Sequence, residues 1–380
     1  MTRATFHLGA VMVLLILASP ARGADPEVTF ASVVNSHYAK WTKDSPDGKL
    51  TAERVAALVN GTKVRGKEAM AVAAIHHYFT GKNAPKTVDE AFLLAPKSLD
   101  AESKEANFQG RFARYQNTLK NTPRTLFADG APAREGIRQG GVNDCYLISM
   151  IGAFVTHHPE RVRSMIEEEK DGAYLVNFPG SAPVKVPRLT DAQIVLLDNS
   201  AGSQGLWLKV MAEAHAIQRR KSHANPKVAL DDLGGGGCPP IIALLTGQKE
   251  NQIKHFSFHP NGKEKPHSET EIVRALRNIQ EHKLVASTGT GGRPPGGAPP
   301  TPGIMDNHAY ALLGYNAGKK LVTVWNPWGD DWEPKEAPGL QNGYSRKGGA
   351  FTLPLHEFLI VMGGFDVQAR EPSTKPVSNK

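Results

Sequence analysis

Apolar residues return every three or four positions in several stretches of this chain. Phe30–Trp41, Lys67–Phe79 and Ala101–Leu119 each carry such a stripe, and each is predicted to be a helix with one buried face. A further stripe, Leu147, Ile148, Ile151, Phe154 and Val155, follows the polar, glycine-rich approach Gln139-Gly140-Gly141-Val142-Asn143-Asp144. That helix is expected to start where the approach ends, with Asn143 or Asp144 as its N-cap. Towards the C-terminus the pattern changes. Ala309–Tyr315 and Lys319–Trp325 are mostly apolar runs on either side of Asn316-Ala317-Gly318, which reads as two strands joined by a tight turn. The chain is therefore expected to combine helices with a strand-bearing C-terminal part, an α+β fold.

Length and composition set the frame. The chain has 380 residues, enough for one large or two ordinary domains, and it is too apolar for its net charge of +8 to be wholly disordered. Its Lys and Arg are mixed among acids, so a soluble basic protein is expected and nucleic acid is not a predicted partner. Arg3, the apolar run Leu8–Ala18 and the small residues Ala21 and Gly23 resemble a cleavable signal peptide over residues 1–23, cut before Ala24. The run is shorter than the roughly 20 residues needed to span a bilayer. The mature protein is expected to be secreted or periplasmic, with no stable membrane insertion and a net charge of +6. Thr288–Pro302 is rich in Gly, Pro and Thr, which suits either a gate or a surface insertion, and residues 369–380 form a polar tail expected to be disordered.

Cys145 falls in the first turn of the helix that follows the approach. The positive end of the helix dipole then lies at the sulfur and is expected to favour thiolate, the nucleophilic form. A base and an orienting group are present in Asp306-Asn307-His308-Ala309-Tyr310 and Val324-Trp325-Asn326-Pro327-Trp328-Gly329. In a hairpin symmetric about Ala317, His308 and Asn326 are each nine positions from the centre, which makes them cross-strand neighbours on one face, with Cβ atoms roughly 5 Å apart. The Asn amide can then hold the imidazole while its other nitrogen faces the thiol. Trp328 would shield that hydrogen bond from water.

Other candidates carry less. Lys43–Arg54 resembles an EF-hand loop, with Ser45 and Asp47 at the third and fifth positions, Gly48 at the sixth and Leu50 at the eighth. Lys43 and Arg54, however, take the first and twelfth positions, where Asp and a bidentate Glu belong, so a degenerate, structural helical pair is expected. The adjacent His76 and His77 point to different helix sides, and no Cys/His cluster has zinc spacing, so no metal site is predicted. Cys238, in a Gly/Pro-rich stretch expected to be a loop, is the one other cysteine. Cys145 is expected to be free when active, with a reversible Cys145–Cys238 redox lock as the weaker alternative.

Together these motifs resemble the calpain family of papain-like cysteine proteases. The family's Gln-Gly approach matches Gln139-Gly140. Its Gly-Asp-Cys-Trp matches Asn143-Asp144-Cys145-Tyr146, and its Gly-His-Ala-Tyr matches Asn307-His308-Ala309-Tyr310. Its Arg-Asn-Pro-Trp-Gly matches Trp325-Asn326-Pro327-Trp328-Gly329. Leu126–Gly130, Gly205–Ala214 and Gly349–Leu359 resemble further family segments, so the likeness runs from about Leu126 to Val367. Four departures stand at the motifs themselves: Asn143, Tyr146, Asn307 and Trp325.

The resemblance implies a two-lobed papain-like core. Lobe 1 would span 122–254 with the nucleophile, and lobe 2 would span 255–368 with His308 and Asn326. A helical region, 24–121, would precede it as propeptide, regulatory cap or docking module. The implied activity is endopeptidase hydrolysis of proteins or peptides through a Cys145–His308–Asn326 triad. By the same resemblance Gln139 donates to the oxyanion; a side-chain amide six residues before the nucleophile can aim at the same point as the Cys145 N–H. No cofactor is required on this reading. Ca2+ is implied by the family, but its ligands are not assignable on this chain, and activity is expected to be independent of Ca2+ or only modestly raised by it. Two other readings stay open: a catalytically inactive peptide-binding module, and a Cys-His acyltransferase of the transglutaminase kind.

Overall fold

The computed structural model describes residues 28–81, 84–96, 107–128, 130, 132–222, 228–254, 266–290 and 301–370. The expected signal peptide, the greater part of the Thr288–Pro302 segment and the tail from residue 371 lie outside the described residues.

The first helical stripe forms α1 (Phe30–Trp41), capped by the Thr29 side chain and burying Phe30, Val33, Val34, Tyr38 and Trp41. A turn leads to β1 (Leu50–Thr51) and α2 (Ala52–Val59). Then comes a second unit of the same kind: α3 (Gly66–Phe79), β2 (Thr87–Val88) and α4 (Glu90–Leu94). The two short strands pair antiparallel, Leu50 opposite Val88, so two helix–loop–helix units are joined loop to loop. The Tyr38 hydroxyl fastens the joint by donating to Gly48 O and Val88 O. Only the first loop was expected. The second departs further from the EF-hand pattern, and its one sequence signal is the β-branched pair Thr87-Val88 before the capping Asp89.

The first loop does not fit Ca2+. Arg54, at the twelfth position, donates from Nε to Trp41 O at 2.6 Å and lies 3.6 Å from the Asp44 carboxylate. A guanidinium closes this loop from inside, where a metal would need a bidentate acid. Among the described residues no group of three or more His, Cys, Asp or Glu side chains is placed to hold a metal ion.

After α5 (Phe108–Asn121) the chain builds a mainly helical half. It contains α6 (Cys145–His157), α7 (Pro159–Ser164), a three-stranded antiparallel sheet of β3 (Ile166–Glu168), β4 (Tyr174–Val176) and β5 (Val184–Val186), then α8 (Asp191–Leu196), α9 (Trp207–Ser222) and α10 (Cys238–Thr246). That small sheet was not expected; its strands are three residues long, too short for alternation to show. Cys238 is the first residue of α10, not part of a loop. The N-terminal helices and this half share one continuous cluster of buried apolar side chains, from Phe30 and Ile75 to Phe154, Ile194 and Trp207.

The last part is a six-stranded antiparallel sheet. Its strands are β6 (Glu250–Lys254), β7 (Ala286–Gly289), β8 (Ala309–Asn316), β9 (Leu321–Trp325), β10 (Ala350–Pro354) and β11 (Gly364–Gln368), with α11 (Glu269–His282) and α12 (Leu355–Val361). The strand order is β10-β9-β8-β7-β11-β6. One face, with Tyr310, Leu312, Val324 and Phe351, forms a second cluster with α11 and α12. The other face sends Ala311, Leu313 and Trp325 into the first cluster. Strand β8 is thus buried on both faces, which is why its sequence is continuously apolar rather than alternating.

The β8–β9 register corrects the symmetric hairpin. Ala311 is opposite Trp325, the turn takes four residues after Asn316, and the ladder is irregular between Leu312 and Gly314. Extended past the strand ends, this register sets Asn326 against Tyr310 and not against His308. The slip is two residues, an even number, so both side chains keep to one face.

Candidate active site

His308 stands at the entrance to β8 and Asn326 at the exit of β9. Asn307, just before His308, has φ +49°, a left-handed conformation that Asn tolerates better than most non-glycine residues. This accounts for Asn where the resembling motif has Gly. The His308 N–H donates to Thr290 Oγ1 at 3.1 Å, and Thr290 Oγ1 donates to Met305 O at 2.6 Å. Tyr310 OH accepts from Met305 N at 2.9 Å, so the turn before the histidine is held on both sides. Arg346, almost fully buried, ties it to the far loop by donating to Gly303 O and to Asp330 Oδ2, both at 2.6 Å.

Nε2 of His308 lies 3.0 Å from Asn326 Oδ1, and that oxygen also accepts the Trp328 N–H at 3.1 Å. The backbone N–H of Trp328 can only donate, which fixes that atom as the amide oxygen. The hydrogen bond therefore puts the imidazole proton on Nε2 and leaves a lone pair on Nδ1. The Trp328 ring centroid is 5.2 Å from that of His308, while Asn326 has no solvent exposure.

Cys145 is the first residue of α6, and the structure brings it to the same place: the Ala309 N–H, adjacent to His308, is close enough to its sulfur to pull the thiol down. Burial pushes the thiol up, against the N–H groups of Ala309, Tyr146 and Cys145 itself, which pull it down. Burial likewise lowers His308, opposed by its bond to Asn326. Where the helix dipole was expected to favour thiolate, burial acts the other way, raising Cys145 from its ordinary value and lowering His308. Asp144 occupies the N-cap position, but its side chain makes no cap bond. Its carboxyl turns inward, where Oδ2 accepts from Asn199 Nδ2 at 2.7 Å.

The approach is stitched on both sides. Gln139 N donates to Pro327 O at 2.8 Å, and Gln139 Nε2 donates to Val142 O at 2.9 Å. Asn199 Oδ1 accepts from Gly140 N and Asp198 Oδ2 from Gly141 N, each at 2.9 Å. Lys209, buried on α9, donates to Asn199 O at 2.5 Å. Asp198, Asn199 and Lys209 were not singled out from sequence; their one signal is a turn-forming Asp-Asn pair after an apolar helix. Arg346 gave no signal. Cys238 lies behind α6, 3.8 Å from Tyr146 O, and burial pushes its thiol up to about 12; both cysteines are free thiols.

The family model of the calpain family cysteine proteases matches residues 88–338. The chain belongs to the calpain family of cysteine proteases. No curated protein matches it. The family match begins at β2 and takes in α4 and α5, ahead of Leu126, where the recognisable motifs start. Membership makes the chain a cysteine peptidase with protein substrates.

The departures of this calpain-family chain are structurally accommodated. Tyr146 is buried, donates from its hydroxyl to Leu233 O at 3.1 Å, and accepts from Arg219 Nη1 at 2.6 Å. Trp325 is fully buried, donates to Gly348 O at 2.8 Å, and fills the space beside Gly152 of α6. Asn143 O accepts from Gly235 N at 2.8 Å.

Proposed function

We propose that this protein is an exported endopeptidase in which Cys145, His308 and Asn326 form the triad and Gln139 serves the oxyanion. The observation that carries the reading is the 3.0 Å bond from His308 Nε2 to Asn326 Oδ1, with Cys145 Sγ near the neighbouring Ala309 N–H. It leaves Nδ1 as the basic nitrogen for the thiol. Nδ1 takes the proton from Cys145 as sulfur attacks the substrate carbonyl. The resulting oxyanion is met by the Cys145 N–H and the N–H of the Gln139 amide that Val142 O does not take. Collapse breaks the C–N bond, and the imidazolium passes its proton to the departing amine. Water, deprotonated by His308, then opens the thioester and restores the thiol. Trp328 covers the His308–Asn326 bond. The helices ahead of the core share its apolar cluster, which favours a permanent supporting role over a detachable propeptide. Among the described residues no helix is long and apolar enough to cross a membrane.

The test is hydrolysis of denatured casein by the chain from Ala24 onward, with a peptidyl epoxide as label for Cys145. New amino termini in the products and an epoxide adduct on Cys145 are expected. Amine transfer without new termini would make it an acyltransferase; no labelling and no turnover would make it a binding module.

A further inference from the structure

An ion pair joins the two turns that orient His308 and Asn326. Arg346, whose side chain is 4 % exposed against 38 % for Asp330, donates from Nη1 to Gly303 O and from Nη2 to Asp330 Oδ2, both at 2.6 Å. Gly303 lies two residues before Met305, whose carbonyl accepts from Thr290 Oγ1, the atom that takes the His308 N–H. Asp330 lies two residues after Trp328, whose N–H holds the Asn326 amide oxygen. The guanidinium thus reaches from the histidine's side of the site to the asparagine's.

The arginine is itself held in place. Its backbone N–H and C=O pair with Trp332 at 2.7 and 2.9 Å, and its guanidinium lies 5.8 Å from the Trp332 ring, which leaves no room for a side chain at Gly303. Three residues on, Gly349 O accepts from Asn326 N and Gly349 N donates to Asp330 O, each at 2.8 Å. Nε of Arg346 and Oδ1 of Asp330 are shielded from water and without a partner. A pair with such gaps, one member deeply buried, adds little to stability. What it fixes is geometry and charge beside the imidazole.

Several elements surround His308. α6 brings Cys145 to the neighbouring Ala309, β8 brings the Tyr310 ring, the turn before His308 carries the exposed Asp306, and the segments around Asn326 bring Trp328, Asp330 and Arg346. Burial lowers His308 most and its bond to Asn326 raises it; Arg346 then lowers it and Asp330 raises it. As bonded neighbours of opposite sign, the two charges oppose each other at the ring.

We infer that Arg346 and Asp330 are a positioning pair for the reaction: the guanidinium clamps the turn before His308 to the loop after Asn326, and the carboxylate it bonds offsets its charge at the imidazole. The inference rests on the peptidase reading, in which His308 is the base.

Three substitutions separate clamp from charge. Arg346→Lys keeps the charge, but one ammonium cannot repeat the two-armed bridge. Its kcat/KM is expected to fall about tenfold or more, with the acid limb of the pH profile in place. Arg346→Gln leaves the Asp330 carboxylate without its counter-charge, so His308 holds its proton to higher pH and the acid limb moves up. Asp330→Asn leaves the guanidinium without its own, and the limb moves to lower pH. A merely structural brace would lower the rate in all three and leave the limb where it is. Limbs of the last two that coincide with wild type, or that move in one direction, overturn the inference, as does wild-type kcat/KM in Arg346→Lys. If Arg346→Gln does not fold, Asp330→Asn decides alone: a limb that stays or moves up overturns the inference. Histidine-ring NMR on the full chain carrying Cys145→Ala reads the same shifts without turnover. His308 is expected to titrate higher with Arg346→Gln and lower with Asp330→Asn, and unmoved titrations overturn the inference alone. Failure of wild-type Cys145 to react with the epoxide overturns the peptidase reading, while the titrations still decide how the pair acts on His308.

Discussion

The indole of Trp325 occupies the space that a side chain at Gly152 would need. Trp325 ends β9, one residue before Asn326, and Gly152 lies two turns into the helix that starts at Cys145. One contact thus sets the sheet that carries His308 and Asn326 against the helix that carries the thiol. Gly152→Ala would drive a methyl group into the ring, and Trp325, buried on all sides, has little room to yield. The expected destabilisation is about 1–3 kcal/mol. In thermal melts the variant should unfold measurably earlier, and its kcat should fall because the two halves of the site are displaced. An unchanged melt would mean that the helix shifts freely and that the contact does not set the geometry.

The proposed roles differ in depth, so truncations should grade. Cys145→Ala should abolish hydrolysis with the fold intact, because it removes only a sulfur, and His308→Ala should be nearly as severe. Gln139→Ala should cost on the order of 10²–10³ in turnover through one lost oxyanion donor. Asn326→Ala should be milder than loss of cysteine or histidine, since Asn326 orients the ring without reacting. Steady-state kinetics on one peptide substrate ranks all four, and Cys145→Ala activity above trace would remove Cys145 from the proposed role.

Much of this site was legible in the sequence because each part sits where a periodic pattern breaks. Cys145 opens an apolar helix, while His308 and Asn326 flank two apolar runs. The pairing of the last two survived a wrong register because the slip was even and preserved the face. Other parts were hidden. The β8–β9 irregularity leaves no mark in a strand apolar on both faces. The inward turn of Asp144 depends on Asn199, which is 55 positions away. The upward push on the Cys145 thiol follows from burial, which a helix-dipole argument from sequence leaves out.

That burial has a consequence for pH. Burial lowers His308 below its ordinary value and raises Cys145 above its own. The base is active when unprotonated, so a lowered value keeps it competent further into the acid range. The acid limb of kcat/KM should fall below pH about 6.5, the unperturbed histidine value. Alkylation of Cys145 by iodoacetamide in a His308→Ala background should accelerate with a midpoint above that of an ordinary thiol. A midpoint shifted to the acid side would mean a resting thiolate and would reverse this assignment. Sequence alone had pointed that way.

Calcium would act on the N-terminal unit and on the protease core by separate routes. The first helix–loop–helix presents Lys43 and Arg54 at the positions that normally bind the ion most strongly, and Arg54 already bonds Trp41 O and faces Asp44. An added divalent cation would meet like charge and a filled loop. The Arg54–Asp44 pair is largely exposed, so its own contribution is small, and the bond to Trp41 O, about 1 kcal/mol, is the larger part. Arg54→Ala should therefore lower the melting temperature slightly, and Ca2+ should not restore it. Wild-type activity on casein should be the same in EDTA and in excess Ca2+, or at most modestly higher with the ion. If EDTA abolishes activity and Ca2+ restores it while Arg54→Ala behaves as wild type, the dependence lies in the loops of the protease core and the prediction fails there, not in the N-terminal unit.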